Sequence, residues 1–175
     1  GGFLHTPTVP VLETLLERFE AARKDVEETV ALFASLTWPR FERDTEYVAL
    51  RSVGSYGYFG ERIASSLGDE LPPERYRELT NERVVSHSSA KHAHHARDSY
   101  MVGALARYLI NHGALGEAAS QAAAALGLEP RCRNPFFNTV AQLVELVQAH
   151  EDARALLKEL ITSGVPPEPP VRSEE

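Results

Sequence analysis

Four of the seven histidines crowd into one short stretch, at His87, His92, His94 and His95. Imidazole is a ligand for zinc, copper and nickel, and two side chains four positions apart on a helix can share one ion. The run His92-Ala93-His94-His95 matches no ligand signature, has no cysteine near it and reads as a linker. Two readings follow: surface or interface histidines with some rings hydrogen-bonded to carbonyls, or a metal-binding stretch. Ser86, Ser88 and Ser89 set hydroxyls beside His87, the pairing that activates a nucleophile. No Gly-x-Ser-x-Gly elbow accompanies them. A phosphate loop, a dinucleotide fingerprint and a Cys-x-x-Cys pair are likewise absent from the sequence. Residue types alone therefore describe a mostly helical protein with no complete active site.

The histidine stretch runs directly into an apolar one. From Tyr100 to Ile110 the only charge is Arg107, and a helix that is apolar all round is a buried one. The pattern predicts a central helix there, with Asp98 or Ser99 as its cap. Arg107 on such a helix must be paired or reach a polar surface, because an unpaired buried charge is costly.

The flanking elements follow from periodicity. Thr8 caps a helix with a proline in its first turn, running to about Leu36. Leu12, Leu15, Leu16, Phe19, Ala22, Val26, Val30 and Phe33 form its apolar stripe, and its charges read as a solvated face. Tyr47 to Arg51 is strand-prone. Tyr56-Gly57-Tyr58-Phe59 and Arg62-Ile63-Ala64-Ser65 flank Gly60-Glu61, a candidate type II′ hairpin with its tyrosines on an amphipathic sheet face. Pro72 to Leu79 reads as a short helix or turn. Gly113 ends the central helix. An alanine-rich helix covers Leu115 to Leu126, with Gly127 as its stop. Asn134-Pro135 opens a last long helix ending at Gly164, with a bend expected near His150-Glu151-Asp152 where the stripe is interrupted. The expected fold is mainly α with a small antiparallel β-hairpin or sheet (α+β), a long-helix bundle around a buried central helix.

Composition narrows the class. The chain has 175 residues, 43% hydrophobic and 25% charged, with a net charge of −7. One domain over residues 1–171 is expected, with residues 165–175 as an extended Pro-rich tail. The acidic balance argues against a general nucleic-acid binder, and no apolar run approaches the ~20 residues of a membrane helix. The lone Cys132 allows no internal disulfide and suits a reducing, cytoplasmic compartment. Gly1-Gly2-Phe3 and the proline run both look like cut ends of something longer.

The run Arg97-Asp98-Ser99-Tyr100-Met101-Val102-Gly103-Ala104-Leu105-Ala106-Arg107 resembles the Tyr-x-Val-Gly-(Pro/Ala)-Leu-Ala-Arg signature of nickel–iron hydrogenase large subunits. Other elements follow in that family's order. Gly1-Gly2-Phe3 resembles the end of its Val-Gly-Gly-Phe segment. Phe41 to Leu50 and Tyr58 to Ser66 resemble the strand region of the cytoplasmic, multi-subunit branch. Val84 to Lys91 resembles its Glu-His-Ser-x-x-Lys stretch, with Ser86 where the family often has Glu. Asn134 to Glu145 resembles the start of its late long helix.

The resemblance implies the central part of a subunit whose parent reversibly oxidises hydrogen. Family members hold the nickel–iron centre with two Cys-x-x-Cys pairs near the ends of the full subunit, and neither pair is in this sequence. No catalytic, cofactor-binding or metal-ligating residue is therefore assigned to this segment. It would be a scaffold, not catalytic alone. The implied partners are an iron–sulfur small subunit and electron-transfer subunits. His87, Lys91 and Arg107 are the candidates for supporting the metal site from behind or for meeting the small subunit, with a helix-closing structural role as the alternative for Arg107. A His-rich metal-binding protein, or a cofactor-free interaction protein descended from this family, remains as the other reading.

Overall fold

The computed structural model describes residues 6–165, so Gly1-Gly2-Phe3 and the tail from 166 onward lie outside the described residues. Four α-helices and six strands are present among them: α1 (Val9–Ala34), β1 (Glu46–Arg51), β2 (Arg62–Ser65), β3 (Glu70–Leu71), β4 (Asn81–Arg83), β5 (His92–His94), β6 (Tyr100–Met101), α2 (Ala104–Asn111), α3 (Glu117–Ala125) and α4 (Phe137–Ser163). This is the expected α+β class.

The long helices form where the apolar stripes predict them. α4 packs against α1, α2 and α3 and is the spine of the helical layer. At 27 residues and ~1.5 Å per residue it is about 40 Å long. Val140, Ala141 and Val144 on its inner face are fully buried. They meet Ala104, Leu105, Ala106 and Tyr108 of α2 and Ala119, Ala122 and Ala123 of α3 in one core. The small α3 side chains let that helix approach closely. α1 lays Val26, Val30 and Phe33 on the same core, and Trp38 bridges Phe33 and Phe137 with centroids 6.2 and 6.1 Å away.

The expected bend at His150-Glu151-Asp152 is absent, because α4 runs unbroken through it. The interruption in the stripe is filled by His150 itself. Its ring is buried, and its Nε2 lies 2.8 Å from the Phe19 carbonyl of α1. Beside it Arg154 joins Glu20 of α1 at 2.6 Å to Glu151 at 2.8 Å, a polar lock between the two long helices.

The sheet differs from the expected hairpin. Its order is β3-β2-β1-β6, with β1–β2 and β2–β3 antiparallel and β1–β6 parallel. The partner of β2 is thus β1, and Tyr56 to Phe59 forms no strand but belongs to the long loop joining them. Val48, Ile63 and Leu79 make a second small core beneath this sheet. The predicted turn after Pro72 is a 3-10 helix, Pro73–Glu78. β4 and β5 pair separately, so the histidine stretch is a hairpin arm and not a linker.

The central helix is also shorter than its apolar run. Tyr100 and Met101 are drawn into the sheet beside Glu46 and Tyr47, and α2 starts only after Gly103, at φ +98°. Neither Asp98 nor Ser99 caps it. The Leu105 N–H donates to Asn138 Oδ1 of α4 at 3.1 Å, so the free end of α2 is satisfied from a neighbouring helix.

Candidate functional site

Arg107 lies mid-helix on α2 and does not close a helix terminus. Its Nε and Nη2 donate to the two carboxylate oxygens of Glu145 on α4, at 2.6 and 2.7 Å. The fork-to-carboxylate geometry is the strong form of an ion pair. The side chains are 31% and 10% exposed. Hydrogen bonding to Glu145 holds the guanidinium above its usual range against the opposing effect of burial.

Two tyrosines of the β1–β2 loop complete this group. Tyr56 Oη donates to Glu145 Oε1 at 3.1 Å, and Tyr58 Oη to the Glu145 carbonyl at 3.2 Å. The rings meet edge-on with centroids 5.1 Å apart, and the Arg107 guanidinium lies 5.9 Å from the Tyr58 centroid, within reach of a cation–π attraction. Burial, then the Glu145 charge, pushes Tyr58 up to about 12 and Tyr56 further in the same direction. Both phenols therefore remain protonated donors at neutral pH. Gly57 between them makes the approach possible: a Cβ there would sit 2.5 Å from the Leu50 carbonyl and 2.6 Å from Asn111 Nδ2. Asn111 in turn donates from Nδ2 to Leu50 O at 2.9 Å, tying α2 to β1.

His87 and Lys91 stand elsewhere, on the β4–β5 hairpin. Lys91 Nζ pairs with Glu82 of β4 at 2.9 Å, both side chains more than half exposed. His87 faces His92 edge-on with ring centroids 5.4 Å apart. The structure thus does not bring His87 and Lys91 together with Arg107.

His95 parts from the other histidines. Its Nδ1 lies 2.8 Å from Glu46 Oε1 at the start of β1. The Glu46 carboxylate is fully buried, and also accepts from Ser65 Oγ at 2.7 Å and the Ala96 N–H at 2.9 Å. Burial alone would push Glu46 up. The bonds from Ser65, His95 and Ala96 more than offset it and leave the carboxyl below its ordinary value. Tyr100, opposite Glu46 in the parallel pair, is pushed up to about 12 by burial and by that carboxylate.

Sequence reasoning named Arg107 and missed Glu145. A signal was present, since Glu145 is the only charged residue between Phe137 and Ala149, as Arg107 is between Tyr100 and Ile110. Two lone opposite charges in two buried stripes call for each other. Nothing in the sequence distinguishes Glu46 from the other acids before β1.

The same sequence is 36% identical over 163 residues to the sulfhydrogenase 1 alpha subunit of Pyrococcus furiosus, covering 92% of this chain and 38% of that protein. The chain is thus similar to about two fifths of a sulfhydrogenase alpha subunit. A second Pyrococcus furiosus protein, the sulfhydrogenase 2 alpha subunit, is 28% identical over 169 residues, again across 38% of its length. The fold also matches a solved NAD+-reducing [NiFe]-hydrogenase in its H2-reduced state, with a TM-score of 0.66, 21% identity, and 92% of this chain against 41% of that one. The chain thus spans about two fifths of the relatives it matches. No family model matches it.

The residues present do not fit a nickel–iron centre held by cysteine pairs. Cys132 is the single thiol of the chain. It is half-buried against the Asn134 carbonyl at 3.8 Å, and burial pushes its thiol up, away from the thiolate a metal needs.

Proposed function

We propose that this chain is the central scaffold segment of a nickel–iron hydrogenase large subunit from a cytoplasmic, multi-subunit enzyme. The observation that carries this reading is the 36% identity to a sulfhydrogenase alpha subunit across 92% of the chain. The parent would interconvert hydrogen with protons and electrons at a centre held outside this segment, passing electrons to an iron–sulfur small subunit and further electron-transfer subunits.

The role of this chain's own residues is mechanical. The Arg107–Glu145 pair clamps α2 to α4, and Tyr56 and Tyr58 tie the β1–β2 loop to the same carboxylate. A metal site resting on α2 would so have a floor that cannot slide. The β4–β5 arm, carrying His87 and Lys91, is offered to a partner subunit. Its Val84 is 81% exposed, as are Val53 at 92% and Phe59 at 87% on the β1–β2 loop, apolar groups better placed against another protein than in water.

The test is hydrogen-dependent reduction of a viologen dye by the protein purified from its native source. Dye reduction that co-purifies with this chain and is lost when the chain is removed by antibody is the expected result. A chain that separates cleanly from all hydrogen-dependent reduction overturns the proposal.

A further inference from the structure

Glu46, Asp69 and His95 form a second polar group, remote in sequence and separate from the Arg107–Glu145 contacts. Glu46 opens β1, Asp69 sits in the turn before β3, and His95 follows β5. One ligand-type atom from each lies within 4.8 Å of the other two, the only such group of three among the described residues. Glu46 is 0% exposed, yet its partners are Ser65, the Ala96 N–H and His95, with no lysine or arginine. The Asp69 carboxylate makes no hydrogen bond or ion pair among the described residues, so a second anion stands beside the buried one with no permanent cation between them. One bound cation would meet all three atoms and neutralise both carboxylates.

We propose that Glu46, Asp69 and His95 bind a single first-row divalent transition cation, with Ser65 Oγ beside it. His95 Nδ1 and Glu46 Oε1 are 2.8 Å apart. Adjacent ligands of an ion bound at about 2.0–2.2 Å lie roughly 3 Å from each other, so the ion takes the place of the proton shared by these two atoms. Asp69, on the solvent side, supplies the third ligand and the way in. One imidazole with carboxylate oxygens and no sulfur suits zinc, cobalt, nickel, manganese or ferrous iron, and not calcium or copper(I). This inference rests on the local geometry and stands whether or not the hydrogenase reading holds.

Zinc is the probe, because it has no redox chemistry of its own and binds such donors strongly. The 175-residue chain is titrated with Zn2+ against a chromophoric chelator. One equivalent is expected to bind. Asp69→Asn, at an exposed position that leaves the fold intact, weakens it tenfold or more, and His95→Ala abolishes it. The double variant His87→Ala/His92→Ala, which removes the edge-on pair on the hairpin, leaves the affinity unchanged. Far-UV circular dichroism checks the folding of each variant. Binding that survives in both Asp69→Asn and His95→Ala, binding lost in the His87/His92 variant, or no zinc retained by the parent chain overturns the proposal.

Discussion

Glu145 and Glu46 are both buried carboxylates, and they are stabilised in opposite ways. Glu145 meets a permanent cation, Arg107, through two short parallel bonds, and tyrosines of the β1–β2 loop fill the remaining space. Glu46 meets a hydroxyl, a backbone N–H and the His95 imidazole. The first arrangement is closed: each charge has its counterpart, and the result is a clamp between two helices. The second is open: it keeps an ionised carboxylate without a fixed cation. Burial of an acid is therefore not one signal but two, separated by what faces it.

The contrast is broken most severely at Glu145. Glu145→Ala leaves the Arg107 guanidinium half-buried and unpaired, and should cost about 3–5 kcal/mol in urea unfolding. The double variant Arg107→Met/Glu145→Leu, which removes both charges and keeps the volume, should recover most of that loss. A double variant no more stable than Glu145→Ala would show that the clamp depends on more than charge.

Glu46 should be less sensitive. Glu46→Gln keeps the shape but replaces an ionised acceptor, and a loss of about 1–3 kcal/mol is expected. The same group gives a pH signature. Its folded carboxyl lies below the model-compound value of 4.5, so its contribution is complete above the unfolded value and disappears as pH falls through the lower folded one. The stability difference between the parent chain and Glu46→Gln should shrink on acidification below about 4.5 and be flat above it. A difference that instead grows with acid contradicts the assignment.

Two smaller effects frame these. Asn138→Ala removes the acceptor for the Leu105 N–H at the start of α2, and should cost about 1 kcal/mol. Lys91→Ala breaks only the exposed pair with Glu82, and should change stability by less than about 0.5 kcal/mol. If Lys91→Ala proved as costly as Asn138→Ala, the hairpin would be held by more than its ladder.

The helical layer was largely legible in the sequence. Leu12 to Phe33 and Val140 to Val147 keep their apolar step over successive turns, and Gly127 and Gly164 stop helices where the pattern predicts. The sheet was not. Tyr56 and Tyr58 look like strand residues, but their hydroxyls find Glu145, a partner distant in sequence that no local pattern reveals. The start of α2 was misplaced for a similar reason. Its first N–H is satisfied by Asn138 from another helix, so the local caps Asp98 and Ser99 were not needed. Of the site, Arg107 was visible as a lone charge in an apolar run. Its partner was equally lone in its own run, and pairing the two required only asking where each charge goes.

The proposal that this segment comes from a nickel–iron hydrogenase large subunit is best checked by the intact mass and nickel content of the protein isolated from its native source. A polypeptide well above 19.3 kDa that retains nickel and iron is the predicted result. A native protein of about that mass, free of nickel, would contradict it.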